Sequence, residues 1–158
     1  MNVVFIGDSL TSGENNNFKS FADYYAEIHP EHKISKFGVS GACMGDYSIY
    51  PVKENMFDIC YTLCNDSDLI ANADKVYLEY SVNDTTAVAA SYVNLNQVYI
   101  TVAKTVDMLK QTNKNIDIYF IVPFDCFSND IDMFADYHID YLNNDYLSNY
   151  MYSVDKIK

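Results

Sequence analysis

Four short strand-like runs, separated by segments of helical period, constrain the fold more than any other feature of the sequence. Each run ends in turn-forming residues, which predicts strands at about 2–6, 33–38, 76–80 and 116–122. Apolar residues recur at helical spacing between them, which predicts helices near 18–28, 54–71 and 93–111, the second with a break at residues 65–67. Strands that alternate with helices predict a parallel sheet with helices on both faces. We therefore expect a three-layer α/β/α domain.

One face of each helix is predicted to contact the sheet. In the first helix this face carries Phe21, Tyr24, Tyr25 and Ile28, and Pro30 ends the helix. In the third helix it carries Val98, Val102, Val106 and Leu109. Beyond the fourth strand, the apolar spacing predicts one long helix or two shorter ones. No repeat, linker or low-complexity tract interrupts the pattern, so we expect a single domain over 1–158.

The charge of the chain limits the partners that it can have. Ten basic residues against 22 acidic ones give a formal net charge of −12, which repels nucleic acid and disfavours anionic membranes. No apolar stretch approaches the roughly 18 residues of a membrane-spanning helix, and the first apolar run is too short for a secretion signal. The chain as given is therefore expected to be cytoplasmic.

The cysteines and two of the histidines are not expected to form a site. Cys43, Cys60, Cys64 and Cys126 show neither a CxxC pair nor the spacing of a zinc site. Cys60 and Cys64 share a face of a predicted helix, and we interpret them as two buried free thiols. His29 and His32 precede the second strand, which places them at the amino end of the sheet. We expect both to be solvated loop residues.

The segment GDSLTSG at 7–13 places polar residues at the carboxyl end of the first strand, where open α/β sheets bind their ligands. It lacks the lysine of a phosphate-binding P-loop and the glycine spacing of a dinucleotide-binding loop. Thr11 stands where the serine elbow of α/β-hydrolases has glycine. After these motifs are excluded, the remaining feature is a serine that directly follows an aspartate, at the start of a loop and helix.

Three segments resemble the sequence blocks of the SGNH, or GDSL, family of serine esterases and lipases. They are GDSL at 7–10, FGVSGA after the second strand and SVND at 81–84, each at the carboxyl end of a strand. The resemblance implies that Ser9 is the nucleophile and that Gly41 offers a backbone N–H to the oxyanion. It also implies that Asn83 offers a side-chain N–H, and that the sheet has the strand order 2-1-3-4-5.

The chemistry of ester hydrolysis fits these residue types. When a serine attacks an ester carbonyl, negative charge develops on the oxygen, and the N–H groups of Ser9, Gly41 and Asn83 could receive it. Asp8 and Asp84 are expected to organise the two loops rather than to react. The resemblance implies a carboxylic ester as substrate, such as an acetylated carbohydrate or a short acyl ester, with no metal or cofactor.

Two departures from the family concern the third block and the general base. Ser81 replaces the usual glycine of the third block, and no D-x-x-H block, from which the family takes its base, occurs in the chain. His138 is a possible base, although Ala135 stands where that motif has aspartate.

Three interpretations of the missing block remain open. The chain could be incomplete at its C-terminus, it could be a catalytically inactive binding or assembly module, or the base could come from His138 or a partner chain. The family's fifth strand also has no counterpart, which would leave the fourth strand as an open edge. A missing segment or a partner chain is expected to cover that edge.

Overall fold

A four-stranded parallel sheet forms the centre of the computed structural model, which describes residues 1–45, 54–79, 83 and 95–121. The strands are β1 (Asn2–Gly7), β2 (Lys33–Gly38), β3 (Lys75–Glu79) and β4 (Asp117–Ile121). Their order is β2-β1-β3-β4, and all three pairings are parallel. The predicted parallel sheet is confirmed. Within the described part of the chain, β4 pairs only with β3.

Helices connect the strands and begin at side-chain caps. They are α1 (Ser9–Ser12), α2 (Phe21–Ile28), α3 (Met56–Asn65) and α4 (Leu95–Thr112). Ser20 forms a capping box at the start of α2, and Asn55 forms one at the start of α3. These caps explain why α2 and α3 begin two or three residues later than the helical spacing predicted.

The sheet is covered on both faces, as predicted. One face packs against α3 and α4, and its buried residues include Ile6 of β1, Leu78 of β3 and Cys60 of α3. The residues at 98, 102, 106 and 109 on α4 are all buried there, which confirms the predicted face of that helix. The other face carries Val3 and Phe5 of β1 and packs against α2.

The prediction for the buried face of α2 is wrong at two positions. Tyr24 is 47% exposed and Ile28 is 73% exposed, whereas Ala22 is fully buried. The Phe5 ring lies edge-on against Phe21 and Tyr25, with ring centroids 5.7 and 5.4 Å apart. The residues of α2 that pack on the sheet are Phe21, Ala22 and Tyr25, and this orientation of the helix turns Tyr24 and Ile28 towards solvent.

The cysteines in the described part of the chain are free thiols, as predicted. Cys43 and Cys60 are buried and Cys64 is half-buried. Burial raises the pKa of the Cys60 thiol well above its ordinary value, so it remains neutral and packs as an apolar group. Cys126 lies outside the described residues.

None of the helices described is both long and apolar enough to span a membrane. The helices predicted beyond β4 lie outside the described residues, as do the site candidates Asp84 and His138.

Candidate functional site

The loop after β1 presents Ser9 at the carboxyl edge of the sheet. Asp8 is buried and caps α1, because its Oδ1 accepts a hydrogen bond from Leu10 N at 2.9 Å. Ser9 is the first residue of α1 and is half-buried. Its hydroxyl and its backbone N–H form no hydrogen bond with any residue in the described ranges.

The loop after β2 places Gly41 in a tight turn. Ala42 N donates to Val39 O at 3.0 Å, and Gly41 has a φ of 79°. A turn with positive φ at its third residue favours glycine, because other side chains are strained there. The Gly41 N–H has no acceptor among the described residues.

Asn83 joins these two loops to each other. Its side-chain amide donates to Ala42 O at 2.8 Å and to Asp8 Oδ2 at 3.2 Å, and Asn83 is 8% exposed. Asp8 belongs to the loop after β1 and Ala42 to the loop after β2. The structure therefore brings Asp8, Asn83 and the Gly41 turn together, and the amide uses both of its hydrogens in doing so.

A hydrogen bond holds the loops after β1 and β2 against each other, because the Ser40 hydroxyl donates to the Glu14 carboxylate. Glu14 lies in a short 3₁₀ helix at 14–16. Lys36 of β2 contacts the same part of the chain, since its Nζ donates to Phe18 O at 2.7 Å and to the Asp23 carboxylate of α2 at 2.5 Å. These contacts therefore fix the site on the side of β2 as well.

Glu79 is a buried site residue that the sequence analysis missed. It is the last residue of β3 and is 4% exposed, and its Oε2 accepts from the Thr11 hydroxyl at 3.0 Å. Burial raises the pKa of Glu79 above its ordinary value of 4.5. The sequence signal that could have identified Glu79 is an acidic residue at the end of the strand VYLE.

Glycines permit this close packing beneath Ser9. A Cβ on Gly7 would lie 2.1 Å from Thr11 Oγ1 and 2.8 Å from Glu79 Oε2. A Cβ on Gly38 would lie 2.2 Å from Ser12 N. Side chains at either position would displace α1, so the position of Ser9 depends on both glycines.

The histidines in the described part of the chain lie at the opposite end of the sheet from Ser9. His29 caps the C-terminus of α2, and His32 directly precedes β2. His32 is not the solvated residue that was predicted, because its side chain is largely buried and its Nδ1 lies 3.2 Å from the Tyr25 hydroxyl. Glu31 lies between them, and the three side chains have the atom types to hold a metal ion. A metal there would be remote from Ser9.

Comparisons with known proteins identify similar structures but no similar sequences. Neither a family model nor a curated protein matches the chain. The fold is similar to that of a family two carbohydrate esterase from Clostridium thermocellum, solved in complex with cellohexaose, with a TM-score of 0.61 and 17% identity. That match covers 93% of this chain and 50% of the esterase, so the chain spans about half the length of that enzyme.

Two other solved structures have the same fold. An acetylxylan esterase from Geobacillus stearothermophilus, solved as a catalytic mutant with histidine replaced by alanine, matches with a TM-score of 0.66 and 18% identity. The match covers 98% of this chain and 73% of that one. A GDSL-like lipase from Parabacteroides merdae matches with a TM-score of 0.58 and 16% identity, over 90% of this chain and 73% of that one. At these identities the likeness establishes the fold.

Proposed function

From the fold that the chain shares with these esterases, we propose that it is a serine hydrolase of carboxylic esters, with an acetylated carbohydrate as its substrate. The observation that carries the proposal is the Asn83 amide, which joins the Asp8 loop to the Gly41 turn beside Ser9. The carbohydrate and acetylxylan esterases among the similar structures support this class of substrate. If the chain belongs to a longer protein, we propose the same ester-hydrolase activity for that protein.

In the proposed reaction, the Ser9 hydroxyl attacks the ester carbonyl and forms a tetrahedral intermediate. The N–H groups of Ser9 and Gly41 are free of partners within the described residues and would donate to the oxyanion. The Asn83 amide supplies a third N–H, since its 3.2 Å contact with Asp8 is long enough to be exchanged for a shorter one. Asp8 and Asp84 would hold the loops, and no metal or cofactor is needed.

The reaction also requires a base that takes the proton from Ser9. His29 and His32 lie at the far end of the sheet, which leaves His138 as the candidate within this chain. The solved structure of the acetylxylan esterase is that of a catalytic mutant in which alanine replaces a histidine. This supports a histidine in the role of the base. The alternative source is a histidine outside these 158 residues.

Hydrolysis of p-nitrophenyl acetate by the purified chain tests the proposal, and His138→Ala tests the source of the base. A loss of turnover in His138→Ala, with His29→Ala unaffected, would assign the base to His138. Turnover that is equal in both variants would exclude His138 as the base. A chain that neither turns over the ester nor reacts with a fluorophosphonate probe would contradict the proposed function.

Replacing Asn83 by alanine is expected to lower kcat by about a hundredfold and to change KM little, because one oxyanion donor is lost. The variant also loses hydrogen bonds that stabilise the fold, so Asn113→Ala is the matched control. Asn113 donates to Ala73 O at 2.8 Å and to two other carbonyls, all at the amino end of the sheet. Equal losses of kcat in the two variants would argue against a role for Asn83 in catalysis.

A second candidate function is a non-catalytic binding module on the same fold. It is favoured by the absence of a D-x-x-H block and by the distance of His29 and His32 from Ser9. This function predicts that a fluorophosphonate probe does not label Ser9, while an acetylated xylo-oligosaccharide binds in calorimetry. Labelling of Ser9 would exclude it.

A further inference from the structure

A cluster of two histidines and a glutamate lies at the amino end of the sheet, and the proposed reaction does not use it. His29, Glu31 and His32 each offer one ligand atom, and these three atoms lie within 4.8 Å of one another. Glu31 Oε1 lies 3.4 Å from His29 Nδ1 and 3.3 Å from His32 Nε2. One carboxylate oxygen therefore faces a ring nitrogen of each histidine.

These two distances are long for ion pairs and suit ligands that surround a common metal ion. A charge-assisted N–H···O bond is about 2.7–2.9 Å long. Nitrogen and oxygen ligands bind Zn²⁺ tetrahedrally at about 2.0–2.2 Å, which separates neighbouring ligand atoms by about 3.4 Å. The Glu31 oxygen already has this separation from a ring nitrogen of each histidine.

A tight turn sets the spacing of the two histidines. His32 N donates to His29 O at 3.0 Å, which closes a turn over residues 29–32. Pro30 is the second residue of this turn, where its fixed φ suits the backbone. The two imidazole rings are stacked, with centroids 5.1 Å apart and an angle of 13° between their planes. The backbone therefore brings the ligands together before any ion binds.

His32 is the anchored ligand of the cluster. Its side chain is 9% exposed, and its Nδ1 lies 3.2 Å from the Tyr25 hydroxyl. When the ring proton is on Nδ1, the ring donates to the hydroxyl oxygen and the lone pair of Nε2 is free to bind a metal. Proteins commonly orient a metal-binding histidine through a hydrogen bond from its other ring nitrogen. Tyr25 therefore holds the His32 ring in the orientation that a metal ligand needs.

His29 and Glu31 are the accessible ligands. Their side chains are 40% and 63% exposed, so an ion can reach them directly from solvent. The exposed His29 ring has room to turn its nitrogen towards an ion that is bound by the other two residues. The net charge of −12 also attracts cations to the chain.

We propose that His29, Glu31 and His32 form a binding site for a divalent cation, namely Zn²⁺. Two imidazole nitrogens and one carboxylate oxygen form a ligand set that suits zinc, and a water molecule fills the fourth position. The ion connects the C-terminus of α2 to the residue before β2, at the opposite end of the sheet from Ser9. It stabilises the fold and takes no part in ester hydrolysis. The site is therefore independent of the proposed function.

Calorimetric titration with Zn²⁺ tests the site in the full chain, purified without a polyhistidine tag. We expect the wild type to bind one Zn²⁺ with a micromolar or lower Kd, and its Tm to rise by at least about 3 °C at about a hundredfold excess over Kd. Glu31→Gln and His29→Gln change exposed side chains, so both are expected to fold and to bind Zn²⁺ at least about tenfold more weakly. Glu27→Gln is the matched control, because it removes an exposed carboxylate of α2 that pairs with Lys19.

Two further measurements test how the ion is held. Tyr25→Phe keeps the ring that packs against Phe5 and removes only the hydroxyl, so we expect about tenfold weaker binding. With Co²⁺ in place of Zn²⁺, we expect the visible absorption bands of a tetrahedral site and no thiolate-to-metal charge-transfer band. Affinity in Tyr25→Phe equal to that of the wild type would overturn the orienting role of Tyr25.

The outcomes distinguish this site from the proposed function. A wild type that binds no Zn²⁺, or a thiolate band with Co²⁺, would overturn the site. Equal affinity in the wild type, Glu31→Gln and His29→Gln would also overturn it, since the ion would then be adventitious and bound elsewhere. Binding that is weakened in both variants and kept in Glu27→Gln would support the site, even if the protein hydrolyses no ester.

Discussion

Replacing Ser9 by alanine is expected to lower the hydrolysis of p-nitrophenyl acetate by at least a thousandfold, which is about the effect of removing the nucleophile in other serine hydrolases. The proposed mechanism forms a covalent acyl-enzyme on Ser9, and the neighbouring side-chain oxygens of the described loop after β1 are already engaged. Asp8 is buried and already caps α1, and Thr11 is fully buried with its hydroxyl donated to Glu79. The residual rate should equal that of an unrelated protein.

Fluorophosphonate labelling followed by peptide mass spectrometry gives the second readout for Ser9. We expect the label on the peptide that contains Ser9 in the wild type and no label in Ser9→Ala. Ser67→Ala is the matched control, because its exposed hydroxyl donates to Leu63 O, far from this loop. Hydrolysis that is as fast in Ser9→Ala as in Ser67→Ala would refute the assignment of the nucleophile.

Replacing Gly38 by alanine is expected to destabilise the fold by about 3 kcal/mol and to abolish activity. A Cβ at this position would lie 2.2 Å from Ser12 N and 2.7 Å from Asp8 O. Both contacts are with backbone atoms, which cannot move aside as the end of a flexible side chain can. The clash can be relieved only if α1 shifts away from β2, and Ser9 would shift with it.

Denaturant unfolding followed by far-ultraviolet circular dichroism measures this effect. Ser35→Ala is the control on the same strand, and we expect it to change the free energy of unfolding by less than about 1 kcal/mol. An unfolding midpoint in Gly38→Ala equal to that of Ser35→Ala would contradict the close approach of β2 to α1.

The sequence predicted the sheet well, because periodicity and turn residues are local signals. All four strands fall within two residues of their predicted bounds, and the buried face of α4 was predicted at every position. The buried face of α2 was not predicted correctly, because the exposure of a helical residue depends on which elements pack against the helix. Tyr24 and Ile28 have the right spacing for a core face, but the helix packs on β1 through Phe21, Ala22 and Tyr25 instead.

The candidate site also contains some residues that the sequence could identify and others that it could not. Ser9, Gly41 and Asn83 could be named because each lies in a short block of recognisable sequence at a strand end. His138 and Asp84 remain predictions, since both lie outside the described residues. Glu79 could not be assigned a role from its sequence context, because its hydrogen-bond partner Thr11 lies 68 positions earlier in the chain.

The sequence by itself determined the order of strands and helices and the end of the sheet at which polar residues collect. It could do so because periodicity and turn chemistry act between residues that are close along the chain. Only the tertiary structure decided that the Asn83 amide bridges Asp8 and Ala42 and that the Glu79 carboxyl accepts from the Thr11 hydroxyl. Those contacts depend on the parallel register of β1 with β3, which places Gly7 beside Glu79. A single sequence carries no direct record of that register.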